Sequence, residues 1–259
     1  RKKSHDSKWN LLRYFAKLIK TTMPDIVSME NVPQLAKHKI FQDFVNTLDF
    51  NGYAVSWSIV YCPDYGIPQT RRRLVLLASK SGEIKIIKPT HAPENYKTVQ
   101  DVIGDMEKIE AGGTSQKDPL HKARKLNAIN LKRIRQTPPG GSWKDGDSDL
   151  ILDCHKKETG KSYPSVYGRM KWGKPSPTIT THCVGLGNGR FGHPEQDRAI
   201  SLREAALLQT FPKKYKFLNP KSIVFTKVIS RQIGNAVPVR LGQVIAKTIK
   251  MHIGDMDVK

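Results

Sequence analysis

Residues 28–33 read Ser-Met-Glu-Asn-Val-Pro, which puts a carboxylate and an amide at the end of an apolar run. Glu30 there has three readings: a helix cap, a solvated loop residue, or the acid of an active site. The local residues do not choose between them. A second concentration of chemistry lies in YGIPQTRRRLVLLA, residues 65–78. In a strand beginning near Gln69, alternation puts Gln69, Arg71 and Arg73 on one face and Arg72 on the other. Two guanidiniums and an amide beside an apolar run are costly unless paired or aimed at an anion or polar ligand. A basic strand end at the surface is the bland alternative.

Three further segments carry polar groups at telling positions. In residues 231–246, Gly234 and Asn235 precede an expected helix N-terminus, where free N–H groups and a glycine allow close approach of a ligand. A capped helix with a turn in front reads the same way. In residues 198–212, Ser201 followed by Glu204 forms a capping box, and Arg203 and Glu204 fit surface partners on that helix. Residues 167–194 mix glycine, arginine, lysine and hydroxyl side chains. Such a segment can hydrogen-bond phosphates and base edges, although an ordinary polar loop looks similar.

The net charge is +21 over 259 residues, far beyond what solubility requires. A surface that basic releases counterions from a polyanion and steers it inward, so nucleic acid is the first expected partner. No run of 18 apolar residues suggests a membrane span, and residues 1–6 do not begin a secretory signal. Cys62, Cys154 and Cys183 are odd in number and widely spaced, which argues against disulfide scaffolds and zinc ribbons and for free thiols in a reducing compartment.

Hydrophobic periodicity supplies the elements that position these groups. Residues 8–20 and 39–49 repeat apolar side chains at helical spacing, and 25–29, 53–61 and 74–78 read as strands. Helices alternating with continuous apolar strands indicate part of a doubly wound α/β sheet. From about 85 to 200 periodicity fades into proline, glycine and lysine, as in an irregular basic domain inserted into the first. Val237, Leu241, Val244, Ile245 and Ile249 share one face of a final helix with Pro238 in its first turn, which suggests a return onto the first domain's sheet.

Taken in chain order, these segments resemble the cytosine-5 DNA methyltransferases. Glu30-Asn31-Val32 matches the family's ENV motif, and Gln69-Thr70-Arg71-Arg72-Arg73 its QxRxR motif. Residues 198–212 look like its RxLTxREAARLQxFP motif, with Leu207 where arginine is usual. Gln232 to Pro238 match QIGNAVP, and Thr178-Ile179 in PSPTIT resemble part of the target-recognition region. The resemblance implies a Rossmann-like S-adenosylmethionine-dependent methyltransferase sheet, incomplete in this chain, with a smaller irregular target-recognition domain. Residues 1–88 would be the catalytic portion, 89–228 the recognition domain and hinge, and 229–259 the return to the catalytic domain.

The implied reaction moves a methyl group from S-adenosylmethionine to carbon 5 of a cytosine flipped out of a specific duplex sequence. A thiolate adds to carbon 6 and charge builds on the base. By resemblance, Glu30 faces ring nitrogen 3 and Arg73 the carbonyl oxygen, with Arg71 in support. Asn31 and Val32 would shape the pocket, and Asn235 and Ala236 would meet the cofactor. Gln69, Arg169, Thr178, Ile179, Gln232 and Gly234 would meet base or DNA. No metal is implied. The family's FxGxG and Pro-Cys-Gln motifs do not occur in the sequence. Residues 1–12 resemble the exit of the catalytic loop, so the expectation is that the N-terminal motifs precede this chain or lie on a second chain, the protein otherwise being a monomer. All three cysteines read as bystanders. A tRNA cytosine-5 methyltransferase, or a non-catalytic or split DNA-binding subunit, are the alternatives. The expected setting is the cytoplasm and nucleoid, if prokaryotic, beside a restriction-modification system.

Overall fold

The computed structural model describes residues 10–217, 219 and 225–254. Residues 1–9, most of the segment resembling a catalytic-loop exit, lie outside the described residues. The chain divides into two units: residues 1–65, 72–90 and 241–259 in the first, and 66–71 and 91–240 in the second.

The first unit opens with α1 (Asn10–Thr22), β1 (Ile26–Asn31), α2 (Lys39–Phe50), β2 (Ala54–Tyr61) and β3 (Arg72–Ser79). The strands form a sheet ordered β1-β3-β2. Because β3 is antiparallel to both neighbours, β1 and β2 run parallel, with α2 as the crossover between them. The unbroken apolar run of β3 is explained by its central position. Leu74, Val75, Leu76, Leu77 and Ala78 are all buried, so both faces of the strand are covered. Leu74, Leu76 and Ala78 face Leu12 and Ile19 of α1 and Phe41, Phe44 and Leu48 of α2 in one core. Ring contacts lock that layer: Phe15 stacks on Phe44 at 5.7 Å and Phe41 meets Trp57 edge-on at 5.3 Å.

The second unit is mostly irregular, as its composition implies. It holds α3 (Val99–Ile103), α4 (Ala128–Gln136), α5 (Asp153–Lys156), α6 (Leu202–Leu208) and α7 (Thr226–Asn235). An irregular chain leaves core carbonyls without ladder partners, and buried arginines meet that need here. Arg169 Nε donates to Thr137 O, Nη1 to His193 O and Gln196 O, and Nη2 to Ile134 O and to Asp197 Oδ1. Its donors are thus spent internally at 4% exposure, which corrects the expectation that Arg169 faces DNA.

The capping box forms as read: Ser201 Oγ accepts from Glu204 N and Glu204 Oε2 accepts from Ser201 N. The surface reading of Arg203 and Glu204 does not hold, since both are buried. Glu204 is gripped bidentately by Arg198, both contacts at 2.7 Å, and Arg203 pairs with Asp118. Burial alone would raise the Glu204 pKa. The Arg198 hydrogen bonds and charge outweigh it and hold the carboxyl below the usual range.

The last helix, α8 (Val239–Gly254), buries Leu241, Val244 and Thr248 at helical spacing. Thr248 Oγ1 accepts from Ile87 N, and the His252 ring meets Ser79 Oγ at 2.9 Å, so residues 241–254 are held within the first unit. Val237 departs from the expected stripe: it precedes the helix and is exposed.

Candidate active site

The register of β1 against β3 sets Glu30 opposite Val75. Arg73 lies two residues before Val75 on the same face, diagonal to Glu30 and within reach of a long side chain. Arg73 Nε is 2.6 Å from Glu30 Oε1, at side-chain exposures of 14% and 19%. The contact is ionic without a well-aimed hydrogen bond, because Glu30 Oε1 is covered yet accepts from no donor. Arg73 Nη1 donates instead to Arg72 O at 2.8 Å. Oε1 therefore pins the carboxylate beside a cation, while the side chain keeps enough open surface for a ligand to reach it. Asn31 Oδ1 accepts from Val32 N, which turns the chain out of β1 into the one-and-a-half-turn helix Pro33–Lys37 and leaves Val32 exposed. Arg72 points to the opposite face, its guanidinium 4.4 Å from the centre of the Tyr61 ring.

Gln69 and Arg71 do not extend that row. β3 begins at Arg72, and Gln69 makes only an isolated bridge to Ser176. Within the second unit, the fully buried Gln69 amide donates to Leu208 O at 2.9 Å and to Gln209 Oε1 at 2.7 Å. Its carbonyl accepts from Ile179 N, and Arg71 Nη1 donates to Ile179 O at 3.0 Å. Gln209 continues the chain of amides to Ile233 O and Ala236 O at the end of α7. Ile179 is wholly buried, and Thr178, half-buried, donates to Thr70 O. Gln69, Arg71 and Ile179 thus fasten strands of chain together. Gln209 belongs with them and was not singled out from sequence, although a glutamine directly after an apolar helix is a signal for a buried cap.

Gly234 and Asn235 end α7, and the expected helix start follows them at Val239, the first residue of α8, after the turn 236–238. The glycine is required because a Cβ there would fall 2.2 Å from the Thr180 carbonyl carbon and 2.3 Å from Thr181 N. The close approach is by the chain's own backbone. Gln232 and Asn235 are exposed on α7. Ala236 N donates to Gln232 O and Ile233 O, and its carbonyl accepts from Gln209, which leaves one lone pair of that oxygen.

Burial pushes the Cys183 thiol up to about 12, which makes it a poor nucleophile, and Cys62 is also buried. Among the described residues no cluster of His, Cys, Asp or Glu could hold a metal ion, and no helix is long and apolar enough to cross a membrane.

The C-5 cytosine-specific DNA methylase family model matches residues 1–251. The Type II methylase M.HgiDII of Herpetosiphon aurantiacus is 59% identical, over 95% of this chain and 70% of that protein. The Type II methyltransferases M1.HphI of Haemophilus parahaemolyticus and M1.BsuMI of Bacillus subtilis are 31% and 32% identical, over 96% and 91% of this chain. This chain spans 63% and 53% of their lengths. Among solved structures, a protein of an Escherichia coli prophage described as a DNA modification methyltransferase has a TM-score of 0.70 at 22% identity, over 97% of this chain and 76% of that one. That likeness shows a methyltransferase-type α/β fold. With the family model matched nearly end to end and a relative at 59% identity, the chain belongs to the C-5 cytosine-specific DNA methylases.

Proposed function

We propose that this chain takes part in methylating carbon 5 of cytosine in double-stranded DNA, and that Glu30 and Arg73 hold and polarise the target base. The observation that carries the reading is the Glu30–Arg73 pair: a carboxylate fixed beside a guanidinium at 2.6 Å, with no donor aimed at its covered oxygen. Glu30 lies at the carboxyl end of β1, where ligands sit on open α/β sheets. A base brought there meets a carboxyl group to share a proton at ring nitrogen 3 and a guanidinium for the carbonyl oxygen, which offsets the charge that builds when a nucleophile adds to carbon 6. The reacting carbon is out of reach inside a duplex, so the base must leave the stack. The +21 charge favours the polyanion this requires.

S-adenosylmethionine, when bound, supplies the methyl group. Of the residues expected to meet it, Asn235 fits, with an exposed amide at the end of α7. Ala236 follows it in the turn between α7 and α8, with a carbonyl that can accept a second hydrogen bond. The Type II naming of the relatives supports a restriction-modification setting.

The test is Glu30→Gln, which keeps the shape and removes the titrating group. In the enzyme completed by the nucleophile-bearing N-terminal motifs, turnover on duplex DNA falls by about a hundredfold or more, the usual scale for a missing general acid, while duplex affinity stays nearly unchanged. Equal losses in both would overturn the assignment. Offering transfer RNA beside duplex DNA to the same preparation decides the substrate.

A further inference from the structure

The cations of the second unit differ in what holds them. Arg169, Arg198 and Arg203 are buried and committed to internal acceptors. Arg124 and Lys227 differ: among the described residues neither side chain has an ion-pair or hydrogen-bond partner, and both are exposed. The two lie on one cavity of about 470 Å³, completed by His182, Val184, Thr226 and Ser230. No carboxylate is among these lining residues. Two cations without counter-charges, an imidazole and two hydroxyl side chains converge on a polar hollow, with one aliphatic wall at Val184. Ser230 Oγ is already committed to Lys227 O, so the cations and the ring dominate what the hollow offers.

Like charges brought together at a concave surface repel, and that cost is recovered when an anion enters. A single-atom anion would leave most of the volume empty. A phosphodiester with part of its sugar matches both the charge and the size, and the aliphatic wall suits the sugar carbons.

We propose that Arg124, Lys227 and His182 form a seat for one backbone phosphate of the DNA duplex, fixing the register of the second unit on its substrate without reading sequence. This rests on the reading of the protein as a DNA methylase and adds a positioning site to it.

The test is the salt dependence of binding to a duplex of arbitrary sequence, measured by fluorescence anisotropy on the full chain. The slope of log affinity against log salt becomes shallower by about 0.9 for each phosphate that is no longer neutralised. The Arg124→Ala, Lys227→Ala double variant is expected to neutralise about one phosphate fewer, and the Arg124→Lys variant to match the wild type. The melting temperature of each variant is followed in parallel, so that a folding defect is separated from a weakened phosphate seat. A wild-type protein that binds with a slope the folded double variant reproduces overturns the seat. So does stabilisation by inorganic phosphate that the double variant abolishes while its DNA slope stays unchanged, because the hollow then takes a free anion. Failure of the DNA methylase reading looks different: the wild-type protein would not bind duplex at all.

Discussion

Gln69 Nε2 lies 2.7 Å from Gln209 Oε1, and both amides are fully buried. Through these two side chains the Ile179 amide, the Leu208 carbonyl and the last carbonyls of α7 are satisfied in one chain of hydrogen bonds. Gln69 is therefore a clasp. Replacing it with alanine strips partners from three buried polar groups, each costing about 1–3 kcal/mol when left unmet, with relaxation recovering part of the sum. Urea denaturation of Gln69→Ala is expected to show a loss of roughly 2–4 kcal/mol, with duplex affinity per folded molecule unchanged. Weaker DNA binding at full stability would return Gln69 to the DNA-contacting set.

Two helical glycines give opposite outcomes for the same substitution. At Gly234 a methyl group meets the Thr180–Thr181 backbone, which has no flexible end to move aside. At Gly242, within α8, a Cβ would have nothing within 4 Å. Gly242→Ala removes a helix-interior glycine and is expected to stabilise by about 0.5–1 kcal/mol. Gly234→Ala is expected to destabilise strongly or prevent folding, since overpacking against backbone costs about 1–3 kcal/mol or more. Thermal melting of the two single variants checks both signs.

What could be read from sequence follows the range of the interaction. The helices of residues 10–50 emerge from hydrophobic period because each buries one stripe, β3 emerges as an unbroken apolar run, and the Ser201–Glu204 box emerges because capping spans three residues. The insertion of β3 between β1 and β2 was not legible, since an apolar run signals burial on both faces but not direction. Arg169 reads as a nucleic-acid ligand by composition, and only the fold reveals the carbonyls of Thr137, His193, Gln196 and Ile134 around it. Gly234 is similar: the sequence shows that a close approach of a ligand is allowed there, but not that the backbone of Thr180 and Thr181 makes one. The Glu30–Arg73 pair came within reach only through family resemblance, because its diagonal register depends on which strands pair.

His193 makes stability depend on pH in a defined window. Burial drives its pKa down to about 4, against the pull of Glu204 and with the help of Arg198. Its Nδ1 accepts from the backbone of Glu195 and Gln196, which only the unprotonated nitrogen can do. The unfolded chain, with an ordinary imidazole near 6.5, binds the proton first. The stability that His193 contributes is thus intact above about pH 6.5 and disappears as the pH falls to about 4, a change of about 3 kcal/mol. His155, lowered by burial and then by Arg133, acts in the same sense. Denaturant midpoints for wild type and His193→Gln between pH 7.5 and 4.5 check this. The variant is expected to be less stable at neutral pH and flatter with pH, and parallel curves would refute it.

Arg73 separates a catalytic pair from a structural one. The Glu30–Arg73 pair is partly exposed and lacks an aligned hydrogen bond, so its removal is expected to cost less than about 1 kcal/mol of stability. A guanidinium that meets charge developing on a base carbonyl is worth far more to the reaction, about a hundredfold to a thousandfold in turnover. Arg73→Ala is accordingly expected to fold and to bind duplex with little change, while methyl incorporation by the enzyme completed with its nucleophile-bearing motifs falls on that scale. Arg73→Lys keeps the charge without the planar fork, and a partial rescue is expected from it. The contrast with the buried Arg198–Glu204 pair sharpens the test. There both partners are fully enclosed and bidentate, and breaking the pair by truncating one partner costs about 3–5 kcal/mol. If Arg73→Ala behaves like a break in that buried pair, unfolding easily while each folded molecule turns over normally, Glu30 and Arg73 are a structural tie and the base is polarised elsewhere.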